Sequence, residues 1–241
     1  MNVRMLALCG VLGLGAGACV DNYSDSGLRI LGNVAPGGQC DVDSSSTTFH
    51  DDGLIDANSP LGYVFTPSVI NDLQTREGEP IGPKTIYVTA ARVRISFYDP
   101  DFDDLPVDAS LLRFQVPTSG AIEPNGGTAA YSFEVVPAEL LAAIGARLPD
   151  PTTEKPLSRT TLDVSVQMVG SHGASEVVSN AFRYPIEVCD SCVLNDVGSC
   201  DTLPDGFVAR TGGSCNVFQD GVIDCCDNFT VCPATPPATP N

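Results

Sequence analysis

Cysteine is the residue type best placed to do chemistry in this chain. Seven of the ten cysteines lie within residues 189–232: Cys189, Cys192, Cys200, Cys215, Cys225, Cys226 and Cys232, with Cys40 far upstream. Cys189-Asp190-Ser191-Cys192 has the spacing of a dithiol redox motif. Such motifs sit where a strand feeds a helix, whose N-terminus lowers the thiol pKa, and this one has no such setting and is followed by five more cysteines. Zinc would take Cys189 and Cys192 with a later pair in a tetrahedral set. The third reading is crosslinking. Adjacent Cys225 and Cys226 suit it by reaching in two directions, since a disulfide between chain neighbours closes a strained ring.

Oxygen ligands form the second concentration of chemistry. Asp99, Asp101, Asp103, Asp104 and Asp108 place five carboxylates in the run 99–108 between two strand-like segments. Calcium takes six to eight oxygens, and alternating Asp residues in a loop can supply several of them. Asp99, Asp101 and Asp103 match the first ligand positions of an EF-hand, but Asp104 replaces the required Gly and Ser110 stands where the bidentate Glu belongs. The loop is therefore either a non-EF-hand calcium site or a solvated acidic turn. A weaker group, Gln219, Asp220, Asp224 and Asp227, surrounds Cys225-Cys226 and is expected to hydrogen-bond the tail's own backbone. His50 beside Asp51 and Asp52, and His172 beside Ser171, read as exposed loop histidines. The chain has no Gly-x-Ser-x-Gly elbow, no His-Glu-x-x-His and no glycine-rich phosphate loop.

Composition narrows the function classes. In 241 residues there are 30 acidic and 12 basic side chains, a formal charge of −18, and Lys84 and Lys155 are the only lysines. Nucleic-acid binding needs clustered Lys or Arg and is not expected. So acidic a protein is also expected to avoid anionic surfaces unless divalent cations bridge them. With 43% hydrophobic residues the chain can bury a core, and its 23 Gly and 19 Pro favour short strands joined by turns over a helical bundle.

The elements that must position these groups have period two. Leu162, Val164, Val166 and Met168 alternate with polar residues, as do Phe182, Tyr184, Ile186 and Val188, and Tyr131, Phe133 and Val135. Leu112, Phe114 and Val116 alternate with Arg113 and Gln115. Ile86, Val88 and Ala90 share a face, but Val93, Ile95 and Phe97 fall on the opposite phase, so a bulge or break is expected near Ala90-Ala91. Each segment reads as a strand with one wet face. One helix is expected over Ala138–Leu148, opened by Pro137. The reading is an all-β, immunoglobulin-like two-sheet antiparallel sandwich over 61–188 with one short helix. A disulfide-rich segment, 189–232, and a frayed tail, 233–241, follow it, and residues 19–60 read as a tether. No Cys-Trp-Cys core is present, the chain having no Trp.

The N-terminus explains the cysteines. Arg4 precedes an uncharged run from Met5 to Ala18, a span of about 21 Å as helix, too short for a bilayer core of about 30 Å. A charged start, apolar middle and small-residue cleavage region make residues 1–18 an export signal. Leu14-Gly15-Ala16-Gly17-Ala18-Cys19 resembles the lipobox of bacterial lipoproteins, in which the cysteine after the cut receives diacylglycerol. Ala16 stands where that family usually has Leu, and Ala16-Gly17-Ala18 also suits ordinary signal peptidase, which would release a secreted protein with Cys19 free to pair. The resemblance implies acyl chains, palmitate among them, on Cys19, membrane attachment without a spanning helix, and, with Val20 rather than Asp next, the outer membrane.

Cysteine parity agrees with that resemblance. With Cys9 removed and Cys19 acylated, Cys40 and the seven tail cysteines make an even set. Full pairing then sends Cys40 to a tail cysteine, closing a loop of about 150 residues or more, worth about 4–5 kcal/mol in the chain-entropy model. The signal, sandwich and cysteine-rich tail together resemble envelope lipoproteins of Gram-negative bacteria, which implies no cofactor and no active site. The functional reading is a non-enzymatic, lipid-anchored envelope protein with a structural or adhesive role toward a protein or glycan. The alternatives are a calcium-stabilised ligand-binding module and an envelope thiol-disulfide oxidoreductase.

Overall fold

The computed structural model of the protein describes residues 26–148 and 159–227. Fourteen strands occupy these residues. In chain order they are β1 (Leu28–Val34), β2 (Phe49–His50), β3 (Gly53–Asp56), β4 (Tyr63–Phe65), β5 (Pro67–Asn71), β6 (Ile86–Phe97) and β7 (Arg113–Ile122). They continue as β8 (Gly127–Ala130), β9 (Phe133–Val136), β10 (Arg159–His172), β11 (Ser175–Val178), β12 (Phe182–Cys189), β13 (Leu194–Asp196) and β14 (Ile223–Cys225). One sheet has the order β2-β1-β5-β8, and the larger has β3-β12-β10-β6-β7 with β11 also on β10. β4 pairs with β9 and β13 with β14 as separate ladders. Disulfides and a β-sandwich are thus both present, and the architecture is all-β.

Alternation builds the core. Leu162, Val164, Val166 and Met168 of β10 and Tyr184, Ile186 and Val188 of β12 are fully buried, facing Leu28, Ile30 and Val69 of the other sheet in one cluster. The phase change in β6 is a bulge. Its register against β7 shifts between Val88 and Ala90, and against β10 the shift falls between Val169 and Gly170. Ala90 and Ala91 are both buried, so the extra residue returns Val93 and Ile95 to the core side. Gly170 is required opposite the bulge, because a Cβ there would lie 2.6 Å from the Tyr87 carbonyl oxygen.

The helix α2 (Ala138–Gly145) buries Leu140, Leu141 and Ile144, and ends three residues before the expected Leu148. A further single turn, α1 (Ala109–Leu112), takes in Leu112, which alternation had assigned to a strand. Its start is fixed locally, by the Asp108 carboxylate accepting from the Ser110 amide at 2.8 Å.

Three expectations are corrected. The segment 19–60 is not simply a tether, for β1 lies inside its sheet and β3 ends the larger one. β1 breaks the alternation rule because it buries polar groups: Asn33 is 1% exposed, its Oδ1 accepting from the Thr66 amide at 2.8 Å. The sandwich is not wholly antiparallel, since β3 runs parallel to β12 at the edge of the larger sheet. Finally, residues 189–227 are not separate from the sandwich. The Asp56 and Asp220 amides donate to the Phe218 and Leu54 carbonyls at 3.1 and 2.8 Å, lacing the tail to β3.

Candidate functional site

The tail reaches the sandwich at the end where β2, β3 and β4 lie. Cys215 is bonded to Cys40 across a sequence separation of 175. The turn that follows inserts three polar side chains. Asn216 Nδ2 donates to Ser59 Oγ and the Gly62 carbonyl at 3.1 and 3.0 Å. Gln219 Nε2 donates to the Val64 carbonyl and its Oε1 accepts from the Val64 amide, both at 2.8 Å. Asp220 Oδ1 accepts from the Leu54 amide at 2.8 Å, and Oδ2 accepts from Tyr63 Oη at 2.7 Å. The backbone makes this possible through Gly213, where a Cβ would fall 1.9 Å from the Gln219 carbonyl oxygen.

Tyr63 and Tyr184 form the buried floor beneath. Their hydroxyls are 3.1 Å apart, and Tyr184 donates to the Asp52 carbonyl. Two phenolic protons thus serve three contacts, which leaves the tyrosine–tyrosine contact the weakest. Gly53 leaves room for this floor, since a Cβ there would stand 2.6 Å from Tyr63 Oη. Burial, with the Asp220 charge adding to it, pushes the Tyr63 phenol well above its ordinary range, and burial moves Tyr184 up to about 12. Both stay neutral donors at any physiological pH.

A cavity of about 200 Å³ opens beside this network, lined by Ala35, His50, Ser214, Cys215, Gln219 and Asp220. A shallower groove of about 410 Å³, with His50, Asp52, Glu187 and Asp220 on its wall, adjoins it. Both Asp220 oxygens already accept hydrogen bonds from the scaffold, so the carboxylate acts as a clamp on the tail rather than as a free base. His50 ends β2 and His172 ends β10, so both sit at strand ends rather than in loops.

The other cysteines among the described residues are bonded as well. Cys189 joins Cys192, and Cys200 joins Cys226. Cys225 is also disulfide-bonded, so the adjacent pair does reach in two directions. Among the described residues one metal-sized group of donors occurs, Cys200, Cys226 and Asp227, but its two sulfurs are bonded to each other and present no thiolate to zinc. Cys19 and Cys232 lie outside the described residues.

The acidic loop uses its carboxylates locally. Asp99 accepts from the Asp101 amide at 3.0 Å, Asp108 caps α1, and Asp104 pairs with Arg147 at 2.5 Å. Asp99, Asp101, Asp103, Asp104 and Asp108 are not among the described donor groups close enough to share an ion, and three of them, Asp99, Asp104 and Asp108, are each engaged by a different partner. The second acidic group divides. Asp224 takes the Arg210 guanidinium at 2.5 Å and Asn195 Nδ2 at 2.8 Å, and Asp227 accepts from the Cys200 amide at 3.3 Å, all within the tail. The Arg210 hydrogen bonds hold the Asp224 carboxyl far below the usual carboxylate range. Gln219 and Asp220, in contrast, reach into the sandwich. Their partners lie more than 150 residues away, beyond any local spacing rule.

No family model matches the chain. No curated protein matches it either. Among solved structures, the ASH/PapD-like domain of human CEP192 (PapD-like domain 7) is similar, at 10% identity, 76% coverage of this chain, 97% of that chain and a TM-score of 0.24. Agreement that loose carries no functional argument. Among the described residues no helix is long and apolar enough to cross a membrane.

Proposed function

We propose that the protein is an exported, lipid-anchored envelope protein whose disulfide-clamped sandwich serves a structural or adhesive role and catalyses no reaction. The observation that carries this reading is the Cys40–Cys215 bond, which ties the N-terminal segment to the tail across 175 positions. Bonds of that kind form and persist in oxidising compartments, beyond the cytoplasm of ordinary bacteria. The leader-like residues 1–18 supply the route, and Cys19, at the start of the mature chain, supplies the attachment point. Two or more acyl chains hold a protein to a bilayer firmly where one gives only marginal binding. The absence of Asp after Cys19 favours the outer membrane.

The non-enzymatic part rests on how the polar groups are engaged. Asp220, Gln219, Asn216 and Tyr63, the polar cluster nearest a cavity, all hold the tail in place. Metabolic labelling with an alkyne-tagged palmitate, followed by fractionation, tests the anchor. Label on the wild-type protein in the membrane fraction, and loss of both label and membrane retention in Cys19→Ala, is the expected result. An unlabelled, soluble wild-type protein contradicts it.

A further inference from the structure

Strand register gathers arginines onto the outer face of the larger sheet. Arg113 on β7 lies opposite Arg94 on β6, Arg94 is opposite Ser165 on β10, and Ser165 is opposite Arg183 on β12. The adjacent row runs Gln115, Arg92, Gln167 across β7, β6 and β10. Four arginines thus share one face of a chain that carries only 12 basic residues against 30 acidic ones. Arg92 is paired with Glu176 at 3.1 Å and Arg183 with Asp163 at 2.5 Å. Arg94 and Arg113 are exposed and take part in none of the ion pairs or side-chain hydrogen bonds of the described residues. Like charges directly opposite on neighbouring strands destabilise a sheet. Nothing in the fold requires the pair, since the core-side neighbours Val93 and Ile95 set the packing.

Between these side chains runs a groove of about 390 Å³, lined by Arg92, Arg94, Arg113, Gln115, Ser165 and Gln167. We propose that this arginine groove binds an anionic polysaccharide that carries carboxylates, a polyuronate segment. Two planar guanidiniums on adjacent strands offer bidentate donors to carboxylates. Gln115, Gln167 and Ser165 each both donate and accept, which matches sugar hydroxyls, themselves donors and acceptors. An acidic peptide presents one backbone N–H per carboxylate, whereas each uronate residue presents two hydroxyls beside its carboxylate, so the sugar chain serves these side chains more fully. The net charge of −18 favours a thin ligand lying close to the face, because beyond about 8–10 Å at moderate salt the local positive charge is screened. This inference deepens the adhesive role proposed above by naming the chemistry of its ligand. It is tested in solution, where the acyl anchor plays no part, so failure of either leaves the other standing.

Titration calorimetry of the purified protein with a short oligogalacturonate is the experiment, alongside its methyl-esterified form, poly-glutamate of equal charge and a single-stranded oligonucleotide. Binding of the oligogalacturonate that weakens with salt, fails with the ester and exceeds that of the other two anions is the expected result. Arg94→Gln/Arg113→Gln is expected to weaken it about tenfold or more, with a melting temperature no lower than wild type because a repulsion is removed. Arg76→Gln, away from the groove, is expected to bind as wild type. Absence of oligogalacturonate binding, equal affinity in the double variant, or stronger binding of poly-glutamate or the oligonucleotide would each overturn the proposal.

Discussion

Gln219 holds Val64 by both ends of its amide, donating to the carbonyl and accepting from the N–H at 2.8 Å each, across 155 positions of chain. A tail side chain thereby acts as a piece of strand along β4. Gln219 is 4% exposed and Val64 half-buried, so this amide pairing is largely shielded from water.

Gln219→Ala is therefore expected to strip two half-buried backbone groups of their partners and to cost at the low end of about 2–6 kcal/mol, at about 1–3 for each unsatisfied group. Chemical denaturation reads this directly. Gln219→Glu would set a second carboxylate where Nε2 now donates to Asp220 Oδ2 at 3.0 Å and to the Val64 carbonyl, and should cost at least as much as Ala. An unchanged midpoint in Gln219→Ala would mean that the tail does not complete the sandwich.

The Cys40–Cys215 bond closes the longest loop among the described disulfides. Replacing both cysteines together, Cys40→Ser/Cys215→Ser, leaves no stray thiol and is expected to cost about 2–5 kcal/mol. Limited proteolysis should then cut within 197–215 before it cuts the sheets. Loss of the short Cys189–Cys192 link should cost less, because a small loop restricts the unfolded chain less.

Alkaline stability reports on the tyrosine floor. Tyr184 titrates at about 12 in the folded protein and Tyr63 well above its ordinary 10, whereas both titrate near 10 when unfolded. The unfolded chain loses its protons first. The stabilisation is thus full below pH 10 and is lost as pH rises toward 12. Denaturation midpoints measured from pH 8 to pH 11.5 should fall above pH 10, and less steeply in Tyr63→Phe. A flat profile in wild type would contradict the buried network.

Calcium is expected to leave the protein unchanged. Asp99 and Asp108 cap short turns and Asp104 is held by Arg147, so gathering them around an ion would undo these contacts. Melting curves with and without millimolar calcium should superimpose. A rise in melting temperature that Asp101→Asn/Asp103→Asn abolishes would restore the loop as a metal site.

The larger sheet was readable from the sequence because each of its long strands keeps one wet face. The β6 bulge showed itself as a phase slip between Ala90 and Ala91, two small residues that can both turn inward. β1 and β5 were not readable, because they bury Asn33, Ser68 and Asn71, polar residues that period-two reasoning assigns to solvent. Asn71 earns its place only through partners far along the chain, its Nδ2 donating to the Lys84 and Ile122 carbonyls at 2.9 Å. The tail's Gln219 and Asp220 stood out as a polar group, yet their partners depend on how the ends of the chain meet. The arginine face was hidden for a related reason: Arg94 and Arg113 each alternate properly in their own strands, and only register places them together.

Intact mass spectrometry of the protein recovered from its native cells tests the central claim, that this chain is exported and held together by disulfides. The expected species begins at Cys19, carries acyl mass on that residue, and gains mass on reduction that corresponds to every remaining cysteine having been paired. A chain still carrying Met1, with thiols open to alkylation before reduction, would contradict it.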